Sequence, residues 1–305
     1  MSARWGKPYQ DHRDWPRYNE SLVVRGEFLL DLRPLRSWDR ELAAMNRGKR
    51  GGQYRFPESF LRWRVIWKQL VDYRGLEGIT RKMAELGLIP ASADHTTLWH
   101  RIHALVPELK MPRYSDLELA SDGTGLKTSN AGGYRIFRYG DPDAKQRKHL
   151  IVVITADVRQ KKVLGIEVYI EGKGHSESPT AAAHVRDVTK RGYRVRKFYG
   201  DRAYDTNGMF GALHDTGTEP VIKIRKNAQS CRRHSSRGNR HRRRVVREYP
   251  RVGYRAWAEQ KQYGMRWPGT EGIFSAMKRR FGENVVSRSP RGLVAVVRTP
   301  LESDQ

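Results

Sequence analysis

Acidic residues are scarce in this sequence. Of its 305 residues, 33 are Asp or Glu against 59 Lys or Arg, a formal net charge of +26. A chain with so little acid repels itself until a polyanion neutralises it, so nucleic acid is the expected partner. Cysteine is nearly absent too. Cys231 stands alone, which excludes an internal disulfide framework and a multi-thiolate zinc cluster. Long apolar runs are missing: nothing approaches the roughly 18 residues of a membrane span. Met1 to Asp14 is polar where a signal peptide would carry its apolar core. A cytoplasmic protein without a membrane partner is therefore expected. Apolar residues make up 38%, a low share, yet 8 Trp, 14 Tyr and 8 Phe suffice for a core. Disorder throughout is excluded, and the length suits one large domain and a smaller one.

The periodicity changes along the chain. From Pro57, the residues Phe60, Trp63, Trp67 and Leu70 recur at steps of three and four, one face of a helix. Leu76–Leu86, closed by Gly87, predicts a second helix, and Leu98, Trp99, Ile102 and Leu105 a third, capped by Asp94 or Thr96. Helix, turn, helix over 76–106 is the shape of a DNA reader, with His100 and Arg101 toward a groove or phosphates. It is equally the shape of an ordinary packing unit. Residues 1–112 thus read as a helical, DNA-binding leader.

Strands begin at Leu117. LELASD ends in Asp122, ahead of Gly123 and Gly125. His149–Asp157 is a continuous apolar run, and Lys161–Ile170 is its hairpin partner. A helix follows with Ser178 as cap and Pro179 in its first turn. A strand delivers Asp201, Asp205 caps a short helix, Pro220–Ile224 forms a strand, and a last helix runs from about Thr270 to Phe281. That order is found in ribonuclease H-like α/β folds. Inside it lies a basic insertion, residues 223–247, with eleven Lys or Arg and no carboxylate. Such a block reads as a solvated loop or, with DNA present, a phosphate-binding arm.

Asp122, Asp201 and Glu271 stand on three elements of this order. One Asp after a strand is usually a turn or cap residue. Three carboxylates that converge can instead hold hard cations such as Mg²⁺ or Mn²⁺, and two such ions can activate a water and stabilise a leaving oxygen at a phosphodiester. Asp157 also ends an apolar strand, but hairpin geometry places it at the opposite end of the sheet. Cys231, His234 and His241 make an incomplete zinc site. GTGLKTSNAGG after Asp122 lacks the order of a phosphate-cradling loop and reads as a bend between strands.

SDGTG around Asp122, GDRAYD around Asp201 and YGMRWPGTEGIFSAMKRRFGE from Tyr263 resemble the three catalytic motifs of prokaryotic insertion-sequence DDE transposases. The subgroup is the one with a Tyr-Arg-Glu-Lys last motif, carried here by Tyr263, Arg266, Glu271 and Lys278. Seven positions separate Glu271 from Lys278, so they share one helix face with Phe274 and Ser275, while Ile273, Ala276 and Met277 line another that can pack on a sheet. WPRYNESLVVRG at Trp15–Gly26 resembles the leader of such proteins.

The resemblance implies a ribonuclease H-like catalytic domain over 113–285. In it Asp122, Asp201 and Glu271 bind two Mg²⁺ or Mn²⁺ ions, cut at the element's terminal inverted repeats and join its 3′ hydroxyl to target DNA. It implies that Tyr263, Arg266 and Lys278 grip end DNA, with Arg202, Arg242, Arg243 and Arg244 as further phosphate contacts. It also implies a homodimer on paired ends, working at the nucleoid. Two departures accompany it. One residue more than the family pattern separates Arg266 from Glu271, and Pro268 and Gly269 break the helix between them. Residues 286–305 read as an irregular, truncated tail, which leaves an inactive remnant that only binds DNA as the alternative.

Overall fold

The computed structural model describes residues 3–4, 7–8, 14–68, 70–105, 109, 111–128, 150–170, 176–228, 237–282 and 284–285. The expected tail 286–305, with Cys231 and His234, lies outside the described residues. The chain divides into two compact units, Met1–Ile102 and His103–Gln305. No helix among the described residues is long and apolar enough to cross a membrane.

In the first unit two short strands, β1 (Ala3–Arg4) and β2 (Lys7–Pro8), pair antiparallel. The helices are α1 (Trp15–Glu27), α2 (Arg33–Arg36), α3 (Trp38–Asn46), α4 (Glu58–Lys68), α5 (Tyr73–Glu85) and α6 (His95–His103). The stripe expected after Pro57 lies on α4: Phe60, Trp63 and Val65 are buried, and the indoles of Trp63 and Trp67 both donate to the Leu29 carbonyl, at 3.2 and 3.0 Å. Leu70 does not belong to it, because α4 stops at Lys68 and leaves that side chain exposed. Gly87 ends the turn after α5 at a φ of +71°, a conformation that costs glycine little. Asp94, and not Thr96, caps α6, accepting from the N–H groups of Thr96 and Thr97, each at 2.9 Å. Of the two candidates for a groove or phosphates, Arg101 is half-buried and lies over the Tyr54 ring at 4.2 Å, and its burial lowers its pKa. His100 is exposed.

The second unit is built on a sheet of β3 (Asp116–Thr128), β4 (Leu150–Asp157), β5 (Val163–Ile170), β6 (Arg194–Gly200) and β7 (Glu219–Ile222) in the order β5-β4-β3-β6-β7. β8 (Asn284–Val285) pairs with the end of β3. β3, β4 and β5 are antiparallel neighbours, whereas β6 and β7 join in parallel. A three-stranded meander extended by parallel strands from its first member is the ribonuclease H-like arrangement that the element order implied.

The helices are α7 (Glu177–Lys190), α8 (Asn207–Asp215), α9 (Arg237–Val252), α10 (Tyr254–Gln260), α11 (Arg266–Gly269) and α12 (Glu271–Phe281). α7 covers one face of the sheet, with Ala181, Val185 and Val188 packed on Leu117, Leu119 and Phe198. α12 covers the other, with Phe274 and Met277 against Leu126, Val152 and Ile154.

Four local expectations change. β3 does not end at Asp122: it runs on through the glycines to Thr128, because β4 pairs with it as far as Leu126, so Gly123–Thr128 is strand and no bend. Ser176 precedes α7 in place of Ser178, which is buried and hydrogen bonded to the Thr206 hydroxyl at 2.7 Å. Thr206 caps α8, its hydroxyl accepting from Met209 N at 3.2 Å, because Asp205 is engaged elsewhere. Phe274 turns inward with Met277 and does not share the face of Glu271.

The basic insertion is also corrected. From Arg237 it is helix α9 and not a loop. Val246 enters the core beside Phe210 and Leu213, with Val245 and Tyr249 packed against it. Arg242, four residues before Val246, turns the same way.

Candidate active site

Register brings the first two acids together. Ala120 pairs with Tyr199 in the parallel ladder of β3 and β6. Asp122 and Asp201 each lie two residues further on, and two residues is one strand repeat, so both follow the direction set by that pair. β6 ends at Gly200 while β3 continues beside β4, which opens an edge of β3 where these carboxylates stand. Asp201 also acts as a cap: its Oδ1 accepts from Ala203 N at 2.7 Å and starts a 3₁₀ turn, Arg202–Tyr204. Asp122 accepts from its neighbour Gly123 N at 3.0 Å.

Glu271 enters as the first residue of α12. Pro268 and Gly269 close the preceding short turn, and Thr270 breaks between the two helices, so Arg266 sits on α11 and folds back on Glu271 at 3.4 Å. The guanidinium is buried, lies 4.9 Å from the Trp267 ring, and leaves its Nε without a hydrogen-bond partner among the described residues. Tyr263 is buried too. Its hydroxyl donates to the Gly200 carbonyl at 3.1 Å and secures the strand end before Asp201.

The acids feel one another. Burial pushes the Asp122 carboxyl up to about 6; Arg266 and the Gly123 N–H oppose this, and the charges of Asp201 and Glu271 add to it. Burial also raises Glu271, against the pull of Arg266. Glu177, which the sequence reading passed over, belongs to the same field: burial raises its carboxyl, and Asp122 and Asp201 raise it further. The signal for it in the sequence is one acid just ahead of a Pro-marked helix start, beside Ser178. Among the described residues no three carboxylate, imidazole or thiol groups stand close enough to ligate one ion together. The acids therefore meet at electrostatic range.

Other candidates are dispersed. Lys278 is half-buried on α12, and Arg202 is exposed on the turn after Asp201. Arg242 pairs with fully buried Asp205, Nε to Oδ1 at 2.6 Å and Nη2 to Oδ2 at 3.1 Å, so it serves the interior. Arg243 is half-buried, and Arg244 is exposed and paired with Glu248 at 3.1 Å. Asp157 caps the β4–β5 turn through Gln160 N at 2.7 Å and accepts from the Tyr114 hydroxyl. It stands opposite Leu119, three positions along β3 from Asp122.

A family model described as Transposase DDE domain matches residues 113–297, more than half of the chain and all of the elements that carry these acids. The chain belongs to the DDE transposase family. A second model of the same description matches residues 23–131 of the transposase. No curated protein matches it in sequence. Among solved structures it is similar to a piggyBac transposase synaptic complex with hairpin DNA, at 11% identity over 92% of this chain and 73% of that one, TM-score 0.39. The Drosophila P element transposase strand transfer complex gives 12% identity over 67% and 43%, TM-score 0.30. The Mos1 strand transfer complex gives 10% over 76% and 81%, TM-score 0.25. At these scores the family match, and not the likenesses, supports the assignment. The protein is a transposase that acts on DNA.

Proposed function

We propose that this transposase cuts DNA at the terminal repeats of an insertion sequence and joins the freed 3′ hydroxyl to target DNA, with Asp122, Asp201 and Glu271 as its catalytic carboxylates. The observation that carries this reading is the register that sets Asp122 and Asp201 side by side at an open edge of β3, within the field of Glu271. Hard carboxylate oxygens in a partly desolvated, like-charged group fit Mg²⁺ or Mn²⁺. A bound pair of such ions supplies an activated water and neutralises the leaving oxygen.

The chain's own residues do the rest. Arg266 opposes the rise that burial imposes on the carboxyls of Asp122 and Glu271, and Glu271 would give up part of that pairing to close on an ion. Tyr263 holds the strand end before Asp201. Lys278, Arg202 and the outward arginines of α9 would take phosphates, as would the leader's helix pair α5 and α6. A homodimer on paired ends, working at the nucleoid, follows from the task.

The test is cleavage and joining of a labelled DNA end, drawn from the flanks of the gene, in Mn²⁺. The wild-type chain should give 3′ nicks and joined products, and Asp201→Ala and Glu271→Gln should give neither while still binding the DNA. Equal cutting by wild type and variants, or none by wild type, would overturn the assignment.

A further inference from the structure

Glu177 opens α7, the helix on the face of the sheet away from α12. What admits it is a missing side chain in β3. A Cβ on residue 123 would lie 2.3 Å from Glu177 Oε1 and 2.5 Å from its Cδ, so glycine alone lets this carboxylate rest on the strand beside Asp122. No hydrogen bond or ion pair satisfies it among the described residues. Close by, the Tyr204 hydroxyl is fully buried beside Ser121 and, among the described residues, has no hydrogen-bond partner of good geometry; it lies in the field of Glu177, Asp122 and Asp201. An unfilled hydroxyl and an uncompensated acid at one spot are costly alone. Together they suit a ligand that brings positive charge and water.

The end of α7 is also fixed to the segment that follows Asp201, through the hydrogen bond from Ser178 to Thr206. Glu177 and Asp201 are thereby held in one frame. We propose that Glu177 is a fourth carboxylate of the active centre: from the electrostatic range at which the acids stand without a metal, it would close with Asp122 and Asp201 on a divalent cation from the α7 side of β3, while Glu271 serves the α12 side. This rests on the metal reading given above. The competing role for Glu177 is a favourable charge at a helix N-terminus, with no part in ion binding.

The experiment is Mn²⁺ binding to the full chain without DNA, by calorimetry and by the paramagnetic resonance of free Mn²⁺, for wild type, Glu177→Gln, Gly123→Ala and Asp201→Asn. Gly123→Ala meets only the far end of a flexible side chain, so it should displace the carboxylate and spare the fold, as circular dichroism would verify. Glu177→Gln and Gly123→Ala should each weaken Mn²⁺ binding about tenfold to a hundredfold, and the double variant should be no weaker than Glu177→Gln. If both bind Mn²⁺ as wild type does while Asp201→Asn loses it, Glu177 is only a helix-end charge and the metal reading stands. If Asp201→Asn also binds as wild type does, the metal reading itself fails, and this proposal with it.

Discussion

Two concentrations of like charge lie in the second unit, and they are built in opposite ways. On α9 the arginine that turns inward meets Asp205, whose side chain has 0% exposure, while Arg240, Arg244 and Arg247 stay in water. At the edge of β3 Asp122 feels the charges of Asp201 and Glu271, Glu177 feels Asp122 and Asp201 from the α7 side, and among the described residues Arg266 is the opposing charge at Asp122 and Glu271. In the first case the fold supplies the opposite charge and the pair becomes part of the scaffold. In the second the opposite charge is largely withheld, and under the proposed function that deficit is what a cation would fill.

This contrast can be broken at either pole. The largest effect is expected on the helix: Asp205→Ala strands Arg242 in the interior and frees the Arg225 N–H that Asp205 holds at 3.0 Å, at a cost of about 3–5 kcal/mol. Urea unfolding would measure it, and adding Arg242→Met should recover much of the loss. The centre should respond with the opposite sign. The Asp122 carboxyl is raised from 3.8 to about 6, so its favourable contribution is full below about pH 4 and is lost as pH rises through 6. Asp122→Asn should therefore stabilise the metal-free protein by up to about 2 kcal/mol at pH 7.5, a gain that melting curves should show vanishing near pH 4. The smallest effects belong to the outer arginines. Arg243→Gln and Arg244→Gln should change stability by no more than about 0.5 kcal/mol, yet each should lower the salt slope of DNA binding by about one. A similar slope change in Arg242→Gln would mean that the inward pair opens to DNA.

Much of this was legible in the order of residues. The apolar run of β4, the alternation in β3 and the closing helix place Asp122, Asp201 and Glu271 in a recognisable succession, because a buried strand and an amphipathic helix leave periodic marks. α9 left almost none. Its inward stripe is Arg242, Val246 and Tyr249, and an arginine satisfied by an acid remote in sequence looks like surface. Glu177 escaped for a related reason: what places it is the absence of a side chain at Gly123, and a glycine in a strand is as readily taken for a bend. Caps slipped by one or two residues where neighbouring hydroxyls and carboxylates competed, as with Thr206 and Asp205.

The ladder between β3 and β6 has a bearing on when the protein becomes dangerous to its host. A slip of one residue would turn Asp201 to the other side of the sheet. Glu271 arrives only when α12, near the end of the described chain, has docked on Leu126 and Val152. Chains emerge from the ribosome N-terminus first, and pairings distant in sequence form late. On the proposed assignment, a half-made or misfolded copy therefore carries its acids on separate pieces, and the capacity to cut DNA appears only with the finished fold.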